Sequence, residues 1–186
     1  MKPVFFTVLS VLLIAGPVHG ATPAPVWLGI TLGSTFSIPA CNRGEDALTK
    51  RYCHAPSLTT RRDNGTTEYH VFFPRKSDVP YARGEMLLEV KNGKVRAFHV
   101  NTWGIEAQGP AMDALTAAFG KPQRSRRERI RALRSRLPSE FAEWDFPGHT
   151  IRFDGSTTSI DWGRISFREA TDQTGTTPSS ATGKPK

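Results

Sequence analysis

The chain predicts an α+β fold: an antiparallel β-sheet with two helices packed on one face, and one disulfide. Three observations carry this. Asn92-Gly93, the favoured two-residue hairpin turn, joins two runs of alternating apolar residues. Further short apolar runs are separated by the turn-forming Pro147-Gly148, Asp154-Gly155 and Gly163, and strands joined by short turns pair antiparallel. Two other segments, around Leu115 and around Ile130, carry apolar residues at three- and four-residue spacing, the period of a helix lying on a sheet.

In chain order, residues 26–33 predict a first strand ending in a turn. The cysteine-bearing stretch up to Thr67 is rich in Arg, Asp, Asn and Gly and predicts a surface loop. Tyr69 to Phe73 predict a second strand, stopped by Pro74. Residues 86–91 and 94–102 form the hairpin. The turn predicts Val90 opposite Val95, Leu88 opposite Ala97 and Met86 opposite His99 on one apolar face, with Glu89 opposite Arg96 on the other.

The first helix has Pro110 at its first position, Asp113 in its first turn, and a core-facing stripe of Met112, Leu115 and Phe119. Gly120 and Pro122 stop it. Residues 121–136 predict the second helix, because Arg, Ala, Leu and Glu dominate them and Pro138 ends them. Ile130, Leu133 and Leu137 supply a narrow apolar stripe. Four short strands follow, near 143–146, 150–153, 159–162 and 165–168.

The ends of the chain predict export. Lys2 precedes an apolar run from Val4 to Ala15, then Gly16-Pro17, and small Val18 and Gly20 stand three and one before Ala21. Residues 1–20 therefore read as a cleaved signal peptide, since a membrane span needs about 20 apolar residues. Residues 21–170 suit a single domain. Residues 171–186 contain no large apolar side chain and predict a disordered tail. The expected location is the periplasm or the exterior. In such a compartment Cys41 and Cys53, the only two cysteines, predict a disulfide worth about 2–3 kcal/mol. A metal site using both with His54 has no fourth ligand at a suitable spacing.

The chain holds 25 basic and 17 acidic residues. Lys121, Arg124, Arg126, Arg127, Arg129, Arg131, Arg134 and Arg136 face a single Glu128 in one segment, which accounts for the entire cationic surplus of the mature chain. That segment predicts an anion-binding face, with Arg124, Arg127, Arg131 and Arg134 as contact residues. Arginine favours this because its planar fork holds carboxylate or phosphate through paired hydrogen bonds. The plain alternative is a solvated helix that keeps the protein soluble. Nucleic acid fits less well, because no stacking aromatics are interleaved with the arginines. Trp103, in the hairpin exit Asn-Thr-Trp-Gly, is a further candidate contact; Trp27, Trp144 and Trp162 predict core.

Catalytic motifs are sparse. No nucleophile elbow, HExxH or phosphate-cradling glycine loop occurs, and Cys41 and Cys53 are too far apart for a CxxC pair. His70 and His99 lie within predicted strands, where packing is the usual role. Glu140, Glu143 and Asp145 balance the arginines more naturally than they form a paired-carboxylate site. No cofactor and no metal is expected.

The runs LGITLGSTFSIPAC, KNGKVRAFHVNTWG and AMDALTAAFGKP resemble small exported proteins of Gram-negative bacteria. Their order, a hairpin leading into a helix closed by FGKP and then further strands, is similar to the helix-on-sheet units of the beta-lactamase inhibitor protein and of small outer-membrane assembly lipoproteins. The resemblance spans 28–168 in outline. It implies binding to another protein rather than catalysis; the lipid-bearing cysteine of the lipoproteins is absent, and no functional residue carries over. The resulting expectation is a non-catalytic binding module whose basic helix engages an acidic protein or an anionic envelope surface. Two rivals are an envelope hydrolase using His54 or His149 with a carboxylate, and a purely structural envelope component. Oligomeric state is not legible.

Overall fold

The computed structural model describes residues 26–42, 51–74, 79–132 and 135–170. The expected signal peptide and tail lie outside them, as do Leu133 and Arg134. In chain order the strands are β1 (Val26–Trp27), β2 (Ile30–Thr31), β3 (Cys53–His54), β4 (Thr60–Arg61), β5 (Thr66–Phe72), β6 (Ala82–Lys91) and β7 (Lys94–Thr102). Helix α1 (Gln108–Phe119) follows, then β8 (Arg124–Ala132), β9 (Ser135–Phe146), β10 (His149–Ser159) and β11 (Trp162–Glu169). Nine strands form one sheet in the order β3-β5-β6-β7-β11-β10-β9-β8, with β4 also on β5, and every pairing is antiparallel.

The Asn92-Gly93 hairpin forms with Val90 opposite Val95, as expected. Beyond that pair the register moves by one residue: Glu89 lies opposite Ala97, Leu88 opposite Phe98 and Met86 opposite Val100. A bulge at Arg96 is the cause, one extra residue on β7. Strict alternation would put Val95 on the face of Ala97 and His99, leaving Phe98 and Val100 on the other. The bulge brings Val95, Phe98 and Val100 all into the core and turns His99 to the opposite face.

One face of the sheet is apolar, with Val71, Met86, Leu88, Phe98, Trp144, Ile151, Phe153 and Phe167 almost fully buried. Ala111 and Leu115 of α1 cover it, together with a small β1–β2 hairpin. The strand expected over 26–33 is broken there: Leu28 and Gly29, at φ of 53° and 75°, reverse the chain so that Trp27 and Ile30 both point inward. Trp27 then packs on Tyr81, Phe119 and Phe167. Burial raises the Tyr81 hydroxyl to about 12, with the neighbouring Tyr52 adding to the shift. The helix begins at Gln108, two residues before Pro110, after a 3-10 turn over Gly104–Ala107, and ends at Gly120.

Two expectations about the last third are corrected. Ser159 ends β10 and Trp162 opens β11 with a turn at 160–161 between them, in place of the strand expected over 159–162, while Asp154-Gly155 and Gly163, expected as turns, lie within strands. These glycines serve close approach: a Cβ on Gly155 would collide with the Gln108 side chain, and one on Gly163 with Thr102 Oγ1.

The larger correction is the basic segment. It is strand β8, not a second helix, so the described residues hold one α-helix. Helix propensity is a weak prior, and pairing with β9 along the whole length of β8 overrides it. Ile130 and Leu137, read as one helical stripe, are instead cross-strand partners. Among the described residues no helix is long and apolar enough to cross a membrane.

Candidate binding arm

β9 is longer than its inner neighbour permits. It pairs with β10 only from Phe141 to Phe146, whereas its pairing with β8 continues outward to Ala132 and Ser135. Residues 127–132 and 135–140 therefore form the two strands of an arm that continues past the last β9–β10 pair. Its root is held by Gln108, the first residue of α1. That side chain donates from Nε2 to the carbonyls of Ile105 (3.2 Å) and Pro138 (3.1 Å), and its Oε1 accepts from the Glu140 amide. A side-chain amide thus occupies the place a further strand would take, and Gly155 leaves room for it.

Strand alternation divides the arginines. On the face away from the helix, Arg124 Nη2 donates to Glu143 and Asp145, both at 2.8 Å. Arg126 pairs with Glu128 and lies 4.1 Å over the Phe141 ring, with Arg152 of β10 at 4.8 Å from the same ring. On the helix-side face, Arg127 pairs with Glu140. The acidic cluster Glu140, Glu143 and Asp145 therefore balances arginines, as the sequence suggested. Arg127 is 70% exposed, and such solvent-facing pairs contribute at most about 1 kcal/mol each.

Toward the tip the balance ends. Arg131 stands directly opposite Arg136, and Arg129 lies two residues along on the same face, opposite Pro138. All three are exposed and have no carboxylate partner among the described residues. Like charges facing each other across a strand pair are destabilising, so the arm holds a repulsion that a bound anion would relieve.

Of the residues expected to make contact, Arg124 and Arg127 are neutralised by the scaffold, Arg131 has no carboxylate partner among the described residues, and Arg134 lies outside them. Arg129 and Arg136 were not singled out from sequence. A signal for them existed: Arg124 with Glu143, Arg127 with Glu140, and Ile130 with Leu137 are each equidistant from the 133–134 junction, the pattern of a chain folding back on itself.

Trp103 is 46% exposed, and Trp162, expected in the core, is 37% exposed. The Arg83 guanidinium carbon lies between them, 4.2 Å from the Trp103 ring and 3.8 Å from the Trp162 ring, and Arg83 Nη1 donates to the Asp161 carbonyl at 2.9 Å. Trp103 thus already stacks on a cation of its own chain, outside the arm.

The histidines are scattered. Nδ1 of His54 meets the Ile38 carbonyl at 3.0 Å, and His149 is buried against the Phe146 ring, where desolvation lowers its pKa. The histidine that does meet a carboxylate is His99: Nε2 lies 3.1 Å from Glu89 Oε1, and Nδ1 lies 2.9 Å from Ser166 Oγ. Burial lowers the His99 pKa despite the carboxylate beside it. For Glu89 the order reverses: desolvation acts upward, but the His99 hydrogen bond and Arg168 at 3.0 Å together hold its pKa below the ordinary value. The resting pair is neutral His99 and ionised Glu89. Ser166 sits mid-strand with β7 on one side and β10 on the other, so its surrounding amides serve the sheet. Cys41 and Cys53 are joined in a disulfide.

No protein family, no curated protein and no solved structure is matched by this chain.

Proposed function

We propose that this is an exported, non-catalytic binding module that engages an acidic protein through the outer arginines of the β8–β9 arm. One observation carries the reading: Arg129, Arg131 and Arg136 are gathered on one face of the ribbon without a carboxylate partner among the described residues, while the inner arginines are matched by Glu140, Glu143 and Asp145. A merely solubilising set of charges has no need of that gradient. The Cys41–Cys53 bridge and the apolar leader support export. The hydrolase reading has less behind it, since neither His54 nor His149 stands beside a carboxylate among the described residues.

The test is charge reversal of Arg129, Arg131 and Arg136 to Glu. Wild-type protein is expected to bind immobilised polyglutamate in a salt-dependent way, and the triple variant to lose that binding with little change in melting temperature. Equal retention by both proteins overturns the reading. Wild-type binding to phosphatidylglycerol vesicles without binding to polyglutamate moves the target from protein to envelope surface.

A further inference from the structure

β8 is the last strand on its side of the sheet. One of its edges pairs with β9, and the other has no strand partner among the described residues over nine positions. An uncovered edge of that length is a row of unpaired amide and carbonyl groups, and such edges accept a further strand. Three features of this edge choose the occupant. Five arginines and one glutamate line it, which repels a second copy of itself and attracts acidic chain. Its unneutralised arginines, Arg129 and Arg131, are two residues apart and so share a face, matching acidic side chains at alternate positions of an extended partner. At its root, Ser125, Arg126 and Arg127 border a shallow open groove of about 300 Å³ that Met112, Pro122, Glu140 and Phe141 also line, room for one side chain of the incoming strand.

We infer that the acidic partner binds as a tenth strand of the sheet, an extended segment with carboxylates at every second residue laid along β8. This rests on the arm being the binding surface and specifies how the surface is used. Main-chain hydrogen bonds supply affinity, Arg129 and Arg131 select the spacing, and Arg136 across the ribbon adds to the field.

Three labelled ten-residue peptides of equal charge separate the two levels by fluorescence anisotropy against the full mature protein. One carries Glu at alternate positions, one is the same peptide with alternate backbone amides N-methylated, and one carries Glu at helical three- and four-residue spacing. The alternating peptide is expected to bind, the N-methylated form at least about tenfold more weakly because two or more backbone hydrogen bonds are lost. Amides of β8 are expected to gain protection from hydrogen exchange only with the first. Equal binding of all three peptides overturns strand addition and leaves the arm as an acidic docking surface. Failure of the protein to hold either the peptides or polyglutamate overturns both.

Discussion

The sheet has two edges, and they are finished in opposite ways. On the β3–β4 side the terminal strands are two residues each, a proline follows at Pro56, the Cys41–Cys53 disulfide ties β3 to the preceding chain, and Ala40 bridges His54. On the β8 side the terminal strand is nine residues long, carries no proline, and outruns its scaffold. Short strands, proline and covalent closure block pairing permanently. Arginine blocks pairing only with neutral or cationic strands, so the same hazard is managed by selection on one edge and by closure on the other. That difference is why the proposed binding is placed on β8 and not on β3.

The contrast breaks most severely beneath the open edge. Trp144 of β9 is fully buried and donates Nε1–H to the Gly120 carbonyl at 2.8 Å. Trp144→Ala is expected to cost about 3–5 kcal/mol in urea unfolding and to loosen the hairpin that carries the arm. The closed edge comes next. Replacing both Cys41 and Cys53 with Ser is expected to cost about 2–3 kcal/mol by the same measurement while leaving polyglutamate binding intact. Loss of binding in that variant would tie the two edges together.

Gln108→Ala acts at the root of the arm. It strips partners from the Glu140 amide and the Pro138 carbonyl, with an expected cost of about 1–3 kcal/mol and faster hydrogen exchange at Glu140. An unchanged Glu140 exchange rate would show that the arm holds itself.

Acidification follows from the histidines. His99 and His149 both have pKa values below the ordinary 6.5 in the fold, so the unfolded chain takes up protons first. Their stabilising contribution is complete above about pH 6.5 and is lost as pH falls through that value toward the depressed ones. Glu89, also lowered, adds a loss in the same direction below the ordinary carboxylate range. Melting temperature is expected to fall between pH 7 and pH 5, and less steeply in His149→Phe. The smallest effect belongs to the inner ion pairs: Glu140→Gln, which removes the partner of Arg127, is expected to cost under about 1 kcal/mol and to strengthen polyglutamate binding slightly.

Sequence reading found most of the sheet because alternation and turn chemistry are local. Asn92-Gly93 announces its hairpin, Pro147-Gly148 announces another, and Met112, Leu115 and Phe119 announce α1. It missed where the cause was a distant neighbour. The Arg96 bulge exists so that Val95 and Phe98 can share a core, and Gly155 exists to clear Gln108. The proposed binding surface was legible as charge and illegible as shape. Its arginines stood out at once, yet which were free depended on Glu140, Glu143 and Asp145 arriving opposite them.

The amino-acid sequence alone determined the cysteine pair, the excess of arginine in one segment, the α+β class and most strand positions, because each depends on residues close together in the chain. Tertiary structure decided that the basic segment is a strand and that its outer arginines are the unmatched ones. Arg, Leu, Ala and Glu each favour helix by intrinsic propensity, and the partner strand across a ladder of backbone hydrogen bonds is what reverses that weak local preference.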